Sequence, residues 1–306
     1  MPLPFGGQPM SNNVITIGSS TLTAEVSPLG AELQSLRTSA GQDVLWHGGN
    51  EFWTGRAPIL FPIVGRAPQD RISIGTFSAE MKQHGFARKS MFALDEHTQD
   101  MCRFILKDNA DTRAQYPFAF RLAVTHKIIG SSLQTRVEIT NKSDRPMPFG
   151  FGFHPAFVWP LPGAEHQPHS IVLDNQAEPE LARLKDGLLP PDRLTSPFSK
   201  GRLKLDHSQF EHDAMIFPKG AGDALTYGAI NDADDVINGT ALVFTFENLP
   251  NLALWTKPNA PFICIEPWHG MAATTQGSDQ IADRPNSVLL DPNATERFAV
   301  TVAVAL

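Results

Sequence analysis

Four short stretches of the chain set ionisable and hydrogen-bonding side chains among aromatic, apolar and glycine neighbours: residues 52–66, 83–88, 148–157 and 262–270. They offer a carboxylate (Glu266), two imidazoles (His84 and His154), two guanidinium groups (Arg66 and Arg88) and the indole of Trp53. That set suits proton transfer on a polyhydroxylated ligand. A carboxylate can serve as base and a histidine as acid when their surroundings separate their pKa values. Arginine and histidine donate to hydroxyls, and aromatic faces stack on the C–H surfaces of sugars.

Each residue also has a purely structural role open to it. His84 lies in a glycine-flanked turn and can cap backbone groups, and His154, before Pro155, can be a satisfied core histidine. Glu266 follows an apolar run and precedes Pro267-Trp268, where a buried carboxylate is costly without partners. Arg66 and Arg88 could be its counter-ions. Metal ligation is the rival use of the histidines: His166-Gln167-Pro168-His169 has HxxH spacing, and Glu211-His212-Asp213 is a mixed acidic cluster. The HxxH pair sits around a proline in a polar loop with no helix to align it and no cysteine pair to complete a zinc site, so no metal site is assigned. Neither a nucleophile elbow, a phosphate-binding loop nor a dinucleotide fingerprint is present.

The elements that must position these groups read as strands. Residues 133–140 alternate Leu133, Thr135, Val137 and Ile139 on one face with Gln134, Arg136, Glu138 and Thr140 on the other. Residues 121–128 and 297–306 repeat the pattern, and 13–18, 21–26, 241–246, 252–255 and 262–265 are further strands. Ser27-Pro28-Leu29-Gly30, residues 142–146, Asn238-Gly239 and Lys257-Pro258-Asn259 are turn signals. Only 178–185 offers a helical turn or two. Twenty-five prolines and 23 glycines among 306 residues oppose long helices, and 42% hydrophobic content supports a large core. The expectation is an all-β chain: an extension over 1–12, then one domain over 13–306, with 160–197 as an excursion from it.

The charge balance is −7 with no basic stripe, which argues against a nucleic-acid partner. The first basic residue is Arg37, and the apolar stretch 57–64 is broken by Pro58 and Pro62, so neither a signal peptide nor a membrane span is read. Cys102 and Cys264, far apart, fit reduced thiols, and a cytoplasmic location is expected.

At the same four stretches the chain resembles the aldose 1-epimerase (mutarotase-like) family, in its bacterial branch with ILFPIVGR, QHGFAR, GFHPAF and IEPW motifs. The segments 30–36 and 44–48 agree as well, and the likeness runs from about residue 13 to the C-terminus. It implies a galactose mutarotase-like β-supersandwich of packed antiparallel sheets with an open sugar cleft, and a cofactor-free interconversion of α and β anomers. By motif, Glu266 is similar to the base that takes the anomeric hydroxyl proton, and His154 to the acid that protonates the ring oxygen, the two facing opposite sides of the C1–O5 bond. His84, Arg66, Asp213, Arg88 and Trp53 correspond to substrate-binding positions, Arg88 as a partner of His84. The partner is a small sugar, possible as its phosphate, and the chain a monomer or homodimer. Two alternatives stay open: a hexose-6-phosphate 1-epimerase, and a non-catalytic carbohydrate-binding or sensor protein on the same fold. Better-characterised galactose mutarotases carry Asn-His where this chain has Phe153-His154-Pro155.

Overall fold

The computed structural model describes residues 14–305. The expected extension over 1–12 lies outside the described residues, as do Asn13 and Leu306 at the ends of two expected strands. The chain forms an all-β structure of antiparallel sheets. The larger has nine strands, in the order Arg202–Lys204, His169–Leu173, Ala224–Ile230, Val236–Glu247, Thr295–Ala305, Ser132–Asn141, Phe120–Ile129, Met101–Lys107 and Ala93–His97. Its centre is where alternation is cleanest: Val137 lies opposite Val124 on one neighbour and Phe298 on the other, and all three are fully buried. No helix among the described residues is long and apolar enough to cross a membrane.

The second sheet runs Met215–Phe217, Asn251–Trp255, Phe262–His269, Phe151–Phe153 and Ile59–Leu60, with Ala156–Val158 also pairing with Phe262–His269. One of its faces packs on the nine-stranded sheet. Phe151 stacks on Phe298 at 4.6 Å between ring centroids, and Phe157 meets Phe244 edge-on at 5.0 Å. Because side chains alternate along a strand, Phe151, Phe153 and Phe157, with Ile263 and Ile265, enter this shared core. Gly152, His154 and Ala156, with Cys264, Glu266 and Trp268, then face the other way.

Several expectations change. The stretch 178–185 is not helical: Leu181 bridges to Leu194 and Ala182 to Ile216, so tertiary pairing overrides its helix-forming composition. A short helix forms instead at Ala110–Gln115, where the Asn109 side-chain oxygen accepts a hydrogen bond from the Thr112 N–H and the Thr112 hydroxyl oxygen accepts one from the Asn109 N–H. Asn238-Gly239 is no hairpin turn but part of Val236–Glu247, where a register shift between Gly228 and Ile230 absorbs the extra residues. Glu266 does not follow its strand; the strand continues through Pro267 to His269. The excursion 160–197 supplies His169–Leu173 to the nine-stranded sheet.

Candidate active site

Strand register brings His154 and Glu266 together. Gly152 pairs with Trp268 and Ala156 with Cys264, so counting inward from both ends sets His154 directly across from Glu266. The Glu266 Oε2 lies 3.3 Å from His154 Nε2. Pro155 interrupts the ladder beside them: its carbonyl accepts the Ile265 N–H at 3.2 Å, but it has no N–H to return. The His154 N–H donates to the Pro58 carbonyl at 3.1 Å. That segment is itself held by Glu32, whose carboxylate accepts the N–H groups of Arg56 and Ala57, each at 3.0 Å.

Both members of the pair are buried and short of partners. Glu266 is 2% exposed and His154 9%, and neither Glu266 Oε2 nor His154 Nδ1 has a hydrogen-bond partner. The imidazole is enclosed by the Trp53 ring at 4.8 Å, His84 at 5.6 Å and Trp255 at 5.7 Å between centroids. Burial therefore drives the His154 pKa down to about 3, with the positive Arg88 adding to the effect. Burial pushes the Glu266 carboxyl well above its usual range, and the negative Asp213 pushes the same way. Both shifts favour the uncharged forms, a protonated carboxyl and a neutral imidazole.

His84 reaches the same cleft from a left-handed turn. Its φ of 68° and the 70° of Gly85 both lie in the region that residues with side chains enter infrequently, histidine more often than most. Gly85 is needed there, since a Cβ would lie 2.2 Å from the Phe61 carbonyl oxygen. The Gly65 N–H donates to His84 Nδ1 at 3.1 Å, and His84 Nε2 lies 3.2 Å from the Gln83 side-chain nitrogen. Burial, then the nearby His154, hold its pKa well below the usual value.

The pair and His84 line a cleft of about 380 Å³, whose walls include Trp53, Arg88, Asp213, Trp255, Lys257 and Trp268; the volume falls in the ~300–1,000 Å³ range of small-molecule sites. Four of the five expected binding residues meet here. Arg88 lies along the wall, donating to the Gln83 carbonyl at 3.0 Å, so it buttresses the turn of His84. Asp213, at φ 65°, has its carbonyl tied to the Arg183 guanidinium at 2.6 Å. Arg66 is not among the lining residues: its Nε pairs with Asp70 at 2.8 Å on the surface. Neither Arg66 nor Arg88 forms an ion pair with Glu266. Nor are His154 and Glu266, expected on opposite sides of a ligand bond, set apart: their side chains lie 3.3 Å from each other.

Sequence reasoning left Trp255, Lys257 and Gln83 unassigned. Alternation places Trp255 beside Cys264 on the cleft face, a signal open to inspection; Lys257 carried none beyond its turn. The rival metal motifs do not converge. His169 has both ring nitrogens engaged by backbone, accepting the Leu161 N–H and donating to the Gln167 carbonyl, each at 3.0 Å. His166, Glu211 and His212 are exposed.

The family model for aldose 1-epimerase matches residues 13–303. Chromosomal protein LacX of Lactococcus lactis subsp. lactis is 30% identical over 304 residues, 95% of this chain and 99% of that one. Among solved structures, the galactose mutarotase related enzyme of Lactobacillus acidophilus is 28% identical with a TM-score of 0.87, covering 95% of this chain and 97% of that one. A galactose mutarotase-like protein of Lactobacillus casei ATCC 334 is also 28% identical, with a TM-score of 0.85 and coverage of 95% and 99%. Sequence motifs, sheet architecture and these likenesses agree, and the chain belongs to the aldose 1-epimerase family.

Proposed function

We propose that the protein interconverts the α and β anomers of an aldose, with Glu266 and His154 as its proton-transfer pair. The observation that carries this reading is their 3.3 Å contact on the floor of an aromatic-walled cleft. Opening a hemiacetal removes a proton from the anomeric hydroxyl and adds one to the ring oxygen. A neighbouring carboxyl and imidazole with one exchangeable proton can do both without help from solvent. Sugar hydroxyls donating to Glu266 favour its ionised form, and that proton passes to His154. Glu266 then takes the hydroxyl proton while His154 protonates the ring oxygen. Rotation about C1–C2 presents the other carbonyl face, and the reverse transfers close the ring. The His84 imidazole and the Trp53 ring orient the sugar beside the pair.

Polarimetry of freshly dissolved α-D-glucose and α-D-galactose tests this. Wild type accelerates the approach to equilibrium, and Glu266→Gln loses at least ~10²-fold of that acceleration, the low end for one acid or base group. Full activity in the variant overturns the assignment of the base. Sugar binding without acceleration by wild type makes the protein a binder.

A phosphorylated aldose is the second reading, favoured by Lys257 and Arg88, two cations in the cleft wall. Under it, glucose 6-phosphate competes with glucose for the cleft, and Lys257→Met weakens that competition alone.

A further inference from the structure

On the cleft face of Phe262–His269, Cys264 is the next residue along from Glu266. One ligand atom from each of His154, Cys264 and Glu266 lies within 4.8 Å of the other two. We propose that these three side chains form a capture site for Zn²⁺ or a similar borderline divalent cation, and that its occupancy switches the cleft off.

The donor set is that of zinc: imidazole nitrogen, thiolate sulfur and carboxylate oxygen. The geometry is close to what zinc demands. Bonds of about 2.0–2.1 Å at tetrahedral angles put nitrogen and oxygen ligands about 3.3 Å apart, which is the separation of His154 Nε2 and Glu266 Oε2. A sulfur at about 2.3 Å from zinc would sit about 3.6 Å from either, and with the three ligand atoms within 4.8 Å of one another the Cys264 thiol needs to close by about 1.2 Å at most. A second observation points to a ligand at this place: Glu266 Oε2 is buried without a hydrogen-bond donor. Cys264 is a free thiol, fully buried, whose position between Ala156 and Trp255 makes no use of its sulfur chemistry. On binding, the metal displaces the thiol proton, and any proton shared by Glu266 and His154, to solvent. The fourth position faces the cleft and takes water.

Switching off follows because the metal occupies the lone pairs that the proposed proton transfers need; that consequence rests on the functional reading above, whereas the site itself does not. The test begins with Co²⁺, whose thiolate complexes show a near-ultraviolet charge-transfer band. Metal-free wild type titrated with Co²⁺ gives that band at one equivalent, and Zn²⁺ abolishes it. Cys264→Ser and Cys264→Ala lack the band, the two variants separating loss of the ligand from loss of packing. Absence of the band in wild type, or its persistence in both variants, overturns the proposal whether or not the protein is an epimerase. In the sugar assay, Zn²⁺ inhibits wild type and a chelator restores it. Both Cys264 variants keep the basal rate and require at least about 10-fold more Zn²⁺, the smaller effect typical of disturbing a metal site. A wild type that shows the band yet is not inhibited overturns the switch and keeps the site. A protein that shows the band but accelerates no sugar overturns the epimerase reading instead.

Discussion

His126 and His154 are both buried imidazoles, in the interior between the sheets and at the cleft floor respectively. His126 has everything it needs: Nε2–H donates to the Ala31 carbonyl and Nδ1 accepts from the Thr135 hydroxyl, each at 2.9 Å. His154 has one polar neighbour, Glu266, at a longer 3.3 Å, and an Nδ1 with no partner. Burial lowers the pKa of both, to about 4 and about 3. Burial and pKa therefore do not tell the two apart; hydrogen-bond completeness does. A satisfied polar group in a core contributes to folding, whereas an unsatisfied one at a cavity wall is a standing cost that a ligand can offset.

The sharpest test of that contrast is His154→Asn. Its expected effect is a loss of ~10²–10⁴-fold in mutarotation rate, with unfolding stability unchanged within about 1 kcal/mol, since few hydrogen bonds are lost. An unchanged kcat with a raised KM would instead make His154 a binding residue. His126→Leu should do the reverse. It strands the Ala31 carbonyl and the Thr135 hydroxyl, each worth about 1–3 kcal/mol when buried unpaired, so denaturant melts should show about 3 kcal/mol of lost stability with kcat per folded molecule intact.

The pH dependence of stability sharpens the comparison further. An unfolded histidine titrates near ~6.5, against about 4 for folded His126. Its stabilising contribution is present above the unfolded value and is lost as pH falls towards 4, by about 3 kcal/mol in all. His84 and His154 add losses of the same sign, so the readout is the difference between wild type and His126→Gln, whose acid limb should be the flatter. As a baseline outside both regions, the half-exposed Arg37–Asp43 pair at 2.6 Å should matter least: Arg37→Met should shift stability by no more than about 1 kcal/mol and activity not at all.

Much of this was legible beforehand. The central strands of the nine-stranded sheet showed themselves because one face packs and the other is more open, as in Ser132–Asn141, where buried and more exposed residues alternate from Ser132 to Ile139, whereas Met101–Lys107, Ala224–Ile230 and the strands at its edges were not read beforehand. Residues 178–185 misled because their fate is set by Leu194 and Ile216, partners that no local pattern announces. The strand carrying Glu266 was cut short because Pro267 reads as a stop, whereas the sheet accommodates it opposite Leu252. Motifs flagged His84, His154 and Glu266 singly. What they hid was the pairing, because adjacency here depends on register between residues more than 100 positions apart. Arg66 went astray for a related reason: nothing local reveals that Asp70, one helical turn away in sequence, holds it at the surface.

Pro155 splits the ladder without shifting its register, and this has a consequence for how such a protein can change. The pair is defined by two strands, whereas Asp213, Lys257 and His84 reach the cleft from turns. On the proposed function, reaction and recognition are thus encoded in separable parts of the chain. Turns tolerate insertion and drift, so ligand preference can diverge among descendants while the chemistry stays fixed to its rung. A one-residue insertion in Phe151–Val158 would be a different event: it would swing His154 to the core face and part it from Glu266 in a single step.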